Sequence, residues 1–327
     1  MEKESDSLAT IFDIAKLAKT SKSTVSRVIS DHGYVSAETR SRVLDAINEL
    51  NYIPNQIARQ MKYQRTNTIG FLVNDYYPTV GDFINYFVNT AKLYNYRVNI
   101  YFTGNSQDEL TALNLLTTRS LDGLFLLAKI NDWDKIIPYT KFGPIATWRR
   151  IKSDKIYSSY IDHFPIYMQI LEYIYAKGAR FVGHILNCEK NSNTQARLEA
   201  IQTFEKTHSM DNEWRLFYNA QKDAGIDAAH KWIAAGKAAP KIVVIYSDYV
   251  ATEFISILKE NGYQIPTDCA IFGFDNSNFG RLMNISTVDT FLEKQAINSF
   301  YYIYNRLNNT NLKYKKIHPK LIFRETC

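Results

Sequence analysis

The chain has 327 residues, 46% of them hydrophobic, and its 39 Lys and Arg against 33 Asp and Glu give a formal net charge of +6. That length calls for two or three domains, and that apolar content excludes a globally disordered chain. No apolar run approaches the roughly 18 residues of a membrane span, and three widely spaced cysteines, Cys188, Cys269 and Cys327, form neither a disulfide framework nor a zinc site.

Residues 1–8 read as a disordered tail. The start, MEKESDSLAT, is polar and acidic. It lacks the basic start and apolar run of an export leader, which implies the cytoplasm. Residues 9–30, ATIFDIAKLAKTSKSTVSRVIS, predict two short helices joined by a tight turn. Ile14, Leu17 and Ala18 form an apolar stripe at i, i+3, i+4, and Val25, Val28 and Ile29 repeat it, with Ser21 as the N-cap of the second helix. The opposite face of that helix carries Lys22, Ser23, Ser26 and Arg27. Residues 39–50 predict a third helix through Val43, Ile47 and Leu50. Three short helices with one donor-rich face are the plan of a helix-turn-helix head, whose second helix enters the major groove. Residues 8–66 hold 9 Lys and Arg against 5 Asp and Glu, a surplus that suits phosphate contact.

These residues carry a resemblance. T-I-F-D-I-A-K-L-A, S-K-S-T-V-S-R-V-I-S, V-S-A-E-T-R-S-R-V and L-N-Y-I-P-N resemble the head of the LacI/GalR family of bacterial transcription regulators. The family usually has Gly-Val in the turn where this chain has Lys19-Thr20. Glycine tolerates a positive φ there without steric cost, so Lys19 implies a slightly less stable head. The resemblance places Lys22, Ser23 and Arg27 at the family's major-groove readers. Arg27 can donate two hydrogen bonds to guanine O6 and N7 or clamp a phosphate. Thr10, Ser21, Thr24, Ser26 and Ser36 are read as backbone-positioning hydroxyls, with simple capping or solvation an equal alternative for Ser26 and Ser36.

Pro54 closes the third helix and Asn55 can cap a new one. Residues 56–62 make under two helical turns, too short to persist alone. In the resembling family this hinge helix pairs with its dimer mate over the minor groove and wedges a Leu between base pairs. Met61 takes that position here, and Asn55 joins the DNA-binding set.

From residue 68 the pattern becomes alternating strands and helices. Strands are predicted at 68–73, 98–103, 123–128 and 144–148, then at 181–186, 214–218, 242–246 and 270–274. Helices lie between them, including 80–94 and one opened by a capping box of Ser106 and Glu109. Alternation of this kind implies doubly wound parallel sheets. Two series make two lobes whose strand carboxyl ends aim at a shared crevice. This stretch resembles the periplasmic-binding-protein-type core of the same family. The residues that carry the likeness are Ile69-Gly70 with Asp75, Leu121-Asp122-Gly123, Tyr160-Ile161-Asp162, Phe272-Gly273-Phe274-Asp275, Ser286-Thr287-Val288, and P-K-L-I-F-R-E at 319–325. The fold expected is therefore an all-α helix-turn-helix head plus α/β. Its divisions are a tail at 1–8, the head at 9–54, hinge and linker at 55–66, and an effector-binding and dimerisation domain at 67–327. Lobe 1 takes about 67–161 and 292–318, and lobe 2 about 162–291 and 319–327.

The strand ends offer Asp75, Arg197, Ser247, Asp248 and Asp275 as effector ligands. Arg197 opens R-L-E-A-I and matches the family's effector-binding arginine. Facing Asp275 across the cleft, it suits a polyhydroxylated ligand through paired hydrogen bonds; an ion pair between lobes is the alternative. Ser247 stands where the family has Asn before Asp. The aromatic that stacks on sugar in some members aligns with Ala220, for which Tyr218 or Trp148 can substitute.

No G-x-S-x-G, H-E-x-x-H or G-x-G-x-x-G is present, and six scattered histidines have no metal spacing, so neither an enzyme, a cofactor nor a metal site is expected. The basic run at residues 313–320 reads as a solvated loop. The chain stops at Cys327 without the leucine-rich helix that makes some members tetramers, so a homodimer is expected. The expected function is a cytoplasmic transcription regulator, a repressor of a carbohydrate-utilisation operon. Its partners are double-stranded operator DNA and a sugar or sugar-phosphate effector, with no membrane partner. The runner-up is a purine-type corepressor or a phosphoprotein partner. A solute-binding transport protein shares the core fold, but requires an export leader and no DNA-binding head.

Overall fold

A computed structural model describes residues 9–30, 33–52, 65–209, 214–219 and 222–327. The chain divides into two compact units, Met1–Arg65 and Thr66–Cys327.

In the first unit α1 (Ile11–Leu17), α2 (Lys22–Ser30) and α3 (Ala37–Glu49) bury Ile14, Ala18, Val25, Val28 and Val43 against one another. Helices this short are marginal alone, so this shared core is what holds them. Leu17 sits at the edge of the predicted stripe and stays 41% exposed. Each helix start is capped by a side chain. The Thr10 backbone N–H and hydroxyl both donate to Asp13 (2.8 and 2.6 Å). Ser21 Oγ accepts from the Thr24 N–H at 3.1 Å, and Ser36 Oγ from the Thr39 N–H at 3.3 Å. The Ser36 cap starts α3 two residues before the periodicity alone does. Lys19 has φ +51°, the left-handed conformation that glycine adopts freely.

In the second unit β1 (Thr68–Val73), β2 (Arg97–Phe102), β3 (Gly123–Leu126), β4 (Ile145–Thr147) and β5 (Ile156–Ser158) form a parallel sheet in the order β2-β1-β3-β4-β5. A second parallel sheet contains β6 (Gly183–Asn187), β7 (Arg215–Tyr218), β8 (Ile242–Ile245) and β9 (Ala270–Phe272), ordered β7-β6-β8-β9. β10 (Thr287–Asp289) and β11 (Lys320–Ile322) pair antiparallel. The central strands β1, β3 and β8 are buried along their whole length, as strands covered by helices on both faces must be. Strand order reverses between β1 and β3 and between β6 and β8, and the strand carboxyl ends there frame a crevice.

The helix Pro78–Leu93 and the helix Leu292–Asn308 cover one face of the first sheet. Phe83 and Phe87 from the former and Phe300 and Ile303 from the latter share a core with Phe71 and Phe125. Phe71 and Phe125 stand 4.8 Å apart, and Phe300 meets Phe87 edge-on at 5.9 Å. The late helix therefore returns to the first lobe, while β11 returns to the second, where Leu321 packs beside Val288 and Phe272.

The predicted alternation and both doubly wound sheets are observed. Two details differ. β5 and β10, three residues each, are not among the expected strands. Ser106 and Glu109 form no capping box. Asn105 takes the cap, accepting from the Gln107 and Asp108 N–H groups, and Ser106 Oγ donates to Asn131. Glu109, fully buried, accepts from the backbone N–H groups of Ile130 and Asn131 and from the Asn131 side chain, pinning the loop after β3.

Candidate functional site

Two regions collect the residues singled out in the sequence. On the head, α2 buries Val25 and Val28 and turns Lys22, Ser23 and Arg27 to solvent, with Thr24 and Ser26 half-exposed between. The turn is knitted by hydroxyls: Ser21 Oγ lies 2.7 Å from Ser23 Oγ and 2.9 Å from Thr24 Oγ1. Thr10 and Ser36 spend their hydroxyls on Asp13 and Thr39 and act as caps. Lys22 Nζ stands 3.6 Å above the ring of Phe12, an exposed aromatic that the sequence reading passed over. The resulting face offers a guanidinium, an ammonium and a hydroxyl on a rigid helix, donors suited to base edges and phosphates. Asn55 and Met61 lie outside the described residues.

In the second unit a cleft of about 730 Å³, counted with its space open to solvent, runs between the lobes. The first lobe lines it with Tyr77, Thr79, Trp148, Arg149 and Tyr160, and the second with Asn187, Thr194, Arg197, Ser247 and Asp275. Trp148 and Arg149 follow β4, Asn187 ends β6, Ser247 follows β8 and Asp275 follows β9, so strand ends supply much of the lining.

Arg197, on the helix Ser192–His208, is 4% exposed. Its Nε donates to His163 Nδ1 at 3.2 Å, and both terminal nitrogens donate to the Tyr246 carbonyl at 3.3 Å. The guanidinium lies 4.1 Å from the ring centre of Phe274. All these acceptors are neutral. Burial, with Arg197 beside it, holds the His163 imidazole well below the usual histidine range, so it accepts rather than repels. Asp275 has φ +108°, and Thr79 of the other lobe lines the cleft beside its carboxyl. Burial, with the Asp248 charge behind it, pushes that carboxyl well above the usual range, against the pull of Arg197.

The expected arrangement needs correcting in three places. Arg197 and Asp275 stand on the same lobe and do not face each other across the cleft; the residue across from Asp275 is Thr79. Asp248 does not line the cleft. It is fully buried and accepts from the Ser277 N–H (2.8 Å) and the Thr287 hydroxyl (2.6 Å), tying the loop after β9 to β10. Gly273 and Gly280 make that possible, because a Cβ at either would collide with its carboxyl oxygens. Asp75 is exposed, accepts from the N–H of Tyr76 and stays out of the lining. Ser247 does line the cleft, but its hydroxyl also caps the helix Asp248–Glu260 through the Val250 N–H. Trp148 lines it with its indole N–H donated to Gln295 at 2.7 Å. Tyr218 donates to Asp227 and is not in the lining, and Ala220 lies outside the described residues. Arg149, Thr194 and Thr290 also line the cleft and are not among the residues expected from the sequence. Arg149 is one residue past a recognised strand end and Thr194 three before Arg197, which is the only signal either gives.

The family model described as "Bacterial regulatory proteins, lacI family" matches residues 10–55, and the one described as "Periplasmic binding protein-like domain" matches 171–327. The NTD biosynthesis operon regulator NtdR of Bacillus subtilis (strain 168) is 31% identical over 335 residues, spanning 98% of this chain and 100% of that protein. The chain belongs to the LacI family. The fold of this LacI-family protein is similar to that of a chain of the Lac repressor dimer solved with operator and the anti-inducer ONPF, with a TM-score of 0.83 at 19% identity over 98% of this chain and 99% of that one. A LacI family regulator from Lactobacillus casei with bound sucrose matches 80% of this chain and 99% of its own, with a TM-score of 0.72 at 20% identity. The protein is a DNA-binding transcription regulator with a ligand-binding domain, not an enzyme. Among the described residues, no helix is long and apolar enough to cross a membrane, and no cluster of His, Cys, Asp and Glu is suited to a metal.

Proposed function

We propose that this protein is a homodimeric cytoplasmic repressor of a carbohydrate-utilisation operon, its hold on operator DNA set by a sugar or sugar phosphate in the interlobe cleft. The observation that carries the reading is the cleft chemistry. A buried guanidinium with only neutral acceptors, a carboxyl, and the unpaired buried hydroxyls of Thr194 and Thr290 converge on one space. Vicinal hydroxyls donate to a carboxyl oxygen and accept from a guanidinium at once, which is what such a set can satisfy. The sucrose held by the Lactobacillus casei regulator supports the same reading. On the head, Lys22, Ser23 and Arg27 read bases or clamp phosphates, while Ser21 and Thr24 fix the turn. Two subunits then set two α2 helices about one duplex turn apart on a near-palindromic site.

The test is a ligand panel of hexoses, hexose phosphates, disaccharides and purine bases against the full-length protein by thermal shift and calorimetry. A native-state ligand raises the melting temperature by mass action. Stabilisation by a sugar or sugar phosphate, lost in Arg197→Met and Asp275→Asn, is expected. Stabilisation by a purine base alone overturns the carbohydrate reading in favour of a nucleobase corepressor.

A further inference from the structure

Arg149 follows β4 and is half-buried at the cleft wall. Its backbone is engaged: the N–H donates to Thr147 Oγ1 at 3.0 Å, and the carbonyl accepts from Ser158 Oγ at 2.7 Å. Its guanidinium has no hydrogen-bond or ion-pair partner among the described residues. The next residue differs, since Arg150 lies 5.3 Å from the ring centre of Tyr160. Arg197 differs too, being held by His163 and Tyr246. Arg149 thus brings a permanent positive charge to the cleft wall with no matching partner there.

The rest of the lining does not match it either. Asp275 is the one acidic side chain among the described lining residues, and burial and the Asp248 charge disfavour its ionised form. His163 is neutral. A second feature adds positive potential: the N-terminal turn of the 17-residue helix Ser192–His208 presents Asn193 and Thr194 to the same cleft. Thr194 is 1% exposed and its hydroxyl has no partner, and the hydroxyl of Thr290, a residue 3% exposed, is likewise unpaired. The start of a helix carries partial positive charge and free N–H donors, so an anion is stabilised there. A neutral ligand filling this cleft would strip water from Arg149 without replacing it, which costs free energy. An anionic group removes that cost and gains charge-assisted hydrogen bonds.

We infer that the effector is an acidic polyol, carrying a phosphate or carboxylate that docks on Arg149 while its hydroxyls meet Thr194, Thr290, Arg197 and Asp275. The inference rests on the cleft being the effector site.

The experiment uses full-length wild type, Arg149→Gln and Arg149→Lys. Inorganic phosphate is titrated against chloride at matched ionic strength, with melting temperature as readout. Glucose, glucose 6-phosphate and glucuronate are then compared by calorimetry. Phosphate is expected to raise the melting temperature of wild type, less that of Arg149→Lys, and not that of Arg149→Gln. Among the hexose probes, an acidic member is expected to bind at least tenfold tighter than glucose, a preference that Arg149→Gln collapses. Preference for glucose 6-phosphate names a phosphate ligand, and preference for glucuronate a carboxylate. Phosphate without effect on wild type, or with equal effect on wild type and Arg149→Gln, overturns the inference. If phosphate acts through Arg149 while no hexose derivative binds, the acidic-polyol assignment is overturned and an anion site alone is left. If glucose binds wild type and Arg149→Gln alike and phosphate does nothing, the carbohydrate reading stands and this inference falls.

Discussion

If Arg197 holds the effector as proposed, replacing it with Met should separate ligand binding from stability. The guanidinium makes three long hydrogen bonds, at 3.2, 3.3 and 3.3 Å, all to neutral acceptors. At a net of about 0.5–1.5 kcal/mol each, their loss costs about 2–4 kcal/mol. The contact with Phe274 at 4.1 Å adds about 1 kcal/mol to that loss. Against this stands relief from burying a charge with no anionic partner, several kcal/mol for a group 4% exposed. The terms nearly cancel, so Arg197→Met should move stability by only about 1 kcal/mol, a melting shift of about 2–4 °C for a unit of this size. Bound ligand loses more. Two charge-assisted hydrogen bonds at about 1.5–3 kcal/mol each make the affinity fall by about 100-fold to 10,000-fold. Differential scanning calorimetry gives the first quantity, and titration calorimetry with whichever sugar or sugar phosphate binds wild type gives the second. Affinity within threefold of wild type refutes the reasoning, and so does a melting temperature more than 10 °C lower, which would make Arg197 a structural residue.

Other outcomes follow from single contacts. Arg27→Ala should weaken operator binding by about 1–3 kcal/mol and relax preference at one base pair; equal losses on specific and random DNA would reduce Arg27 to a phosphate clamp. Lys19→Gly should stabilise the head by about 0.5–1 kcal/mol in urea unfolding, since an L-residue at φ +51° is strained; no gain would mean the strain is absent. Burial, with the Arg215 charge adding, lowers the His184 imidazole to about 3, while Tyr167 shares a 2.9 Å hydrogen bond with its Nδ1. Above the usual value near 6.5 both folded and unfolded states are neutral there and the stability is complete. As pH falls below it only the unfolded chain takes up the proton, so about 1.4 kcal/mol is lost per pH unit down to about pH 3. His184→Gln should flatten the urea stability profile between pH 6 and 4 by that slope, and parallel profiles would contradict the assignment.

The head was legible in the sequence because three short helices must share one core, which forces the apolar stripes into view. The sheets were legible because strands covered on both faces read as unbroken apolar runs, as at β1 and β8. The cleft was legible only as a set of loops. Strand ends locate it, yet nothing local says which side chain turns inward. Asp248 follows β8 as a ligand would, but its acceptor sites are filled by Ser277 and Thr287, 29 and 39 residues further on. Glu109 has capping-box spacing, but Asn105 already holds the cap, and the carboxylate serves a loop 21 residues away. Arg149 has the opposite history. An arginine after a strand reads as solvated surface until the lining around it is seen to lack a matching charge.

The central claim, a DNA-binding regulator governed from its interlobe cleft, is tested most directly by operator affinity with and without ligand. Fluorescence anisotropy of a labelled duplex, selected from random DNA by the full-length protein, gives that affinity across the sugar and sugar-phosphate panel. At least one member is expected to change the affinity of wild type by tenfold or more. The same ligand should leave Arg197→Met unchanged, while both proteins bind DNA equally in its absence. A ligand that fills the cleft by calorimetry yet leaves operator affinity unmoved would contradict the account.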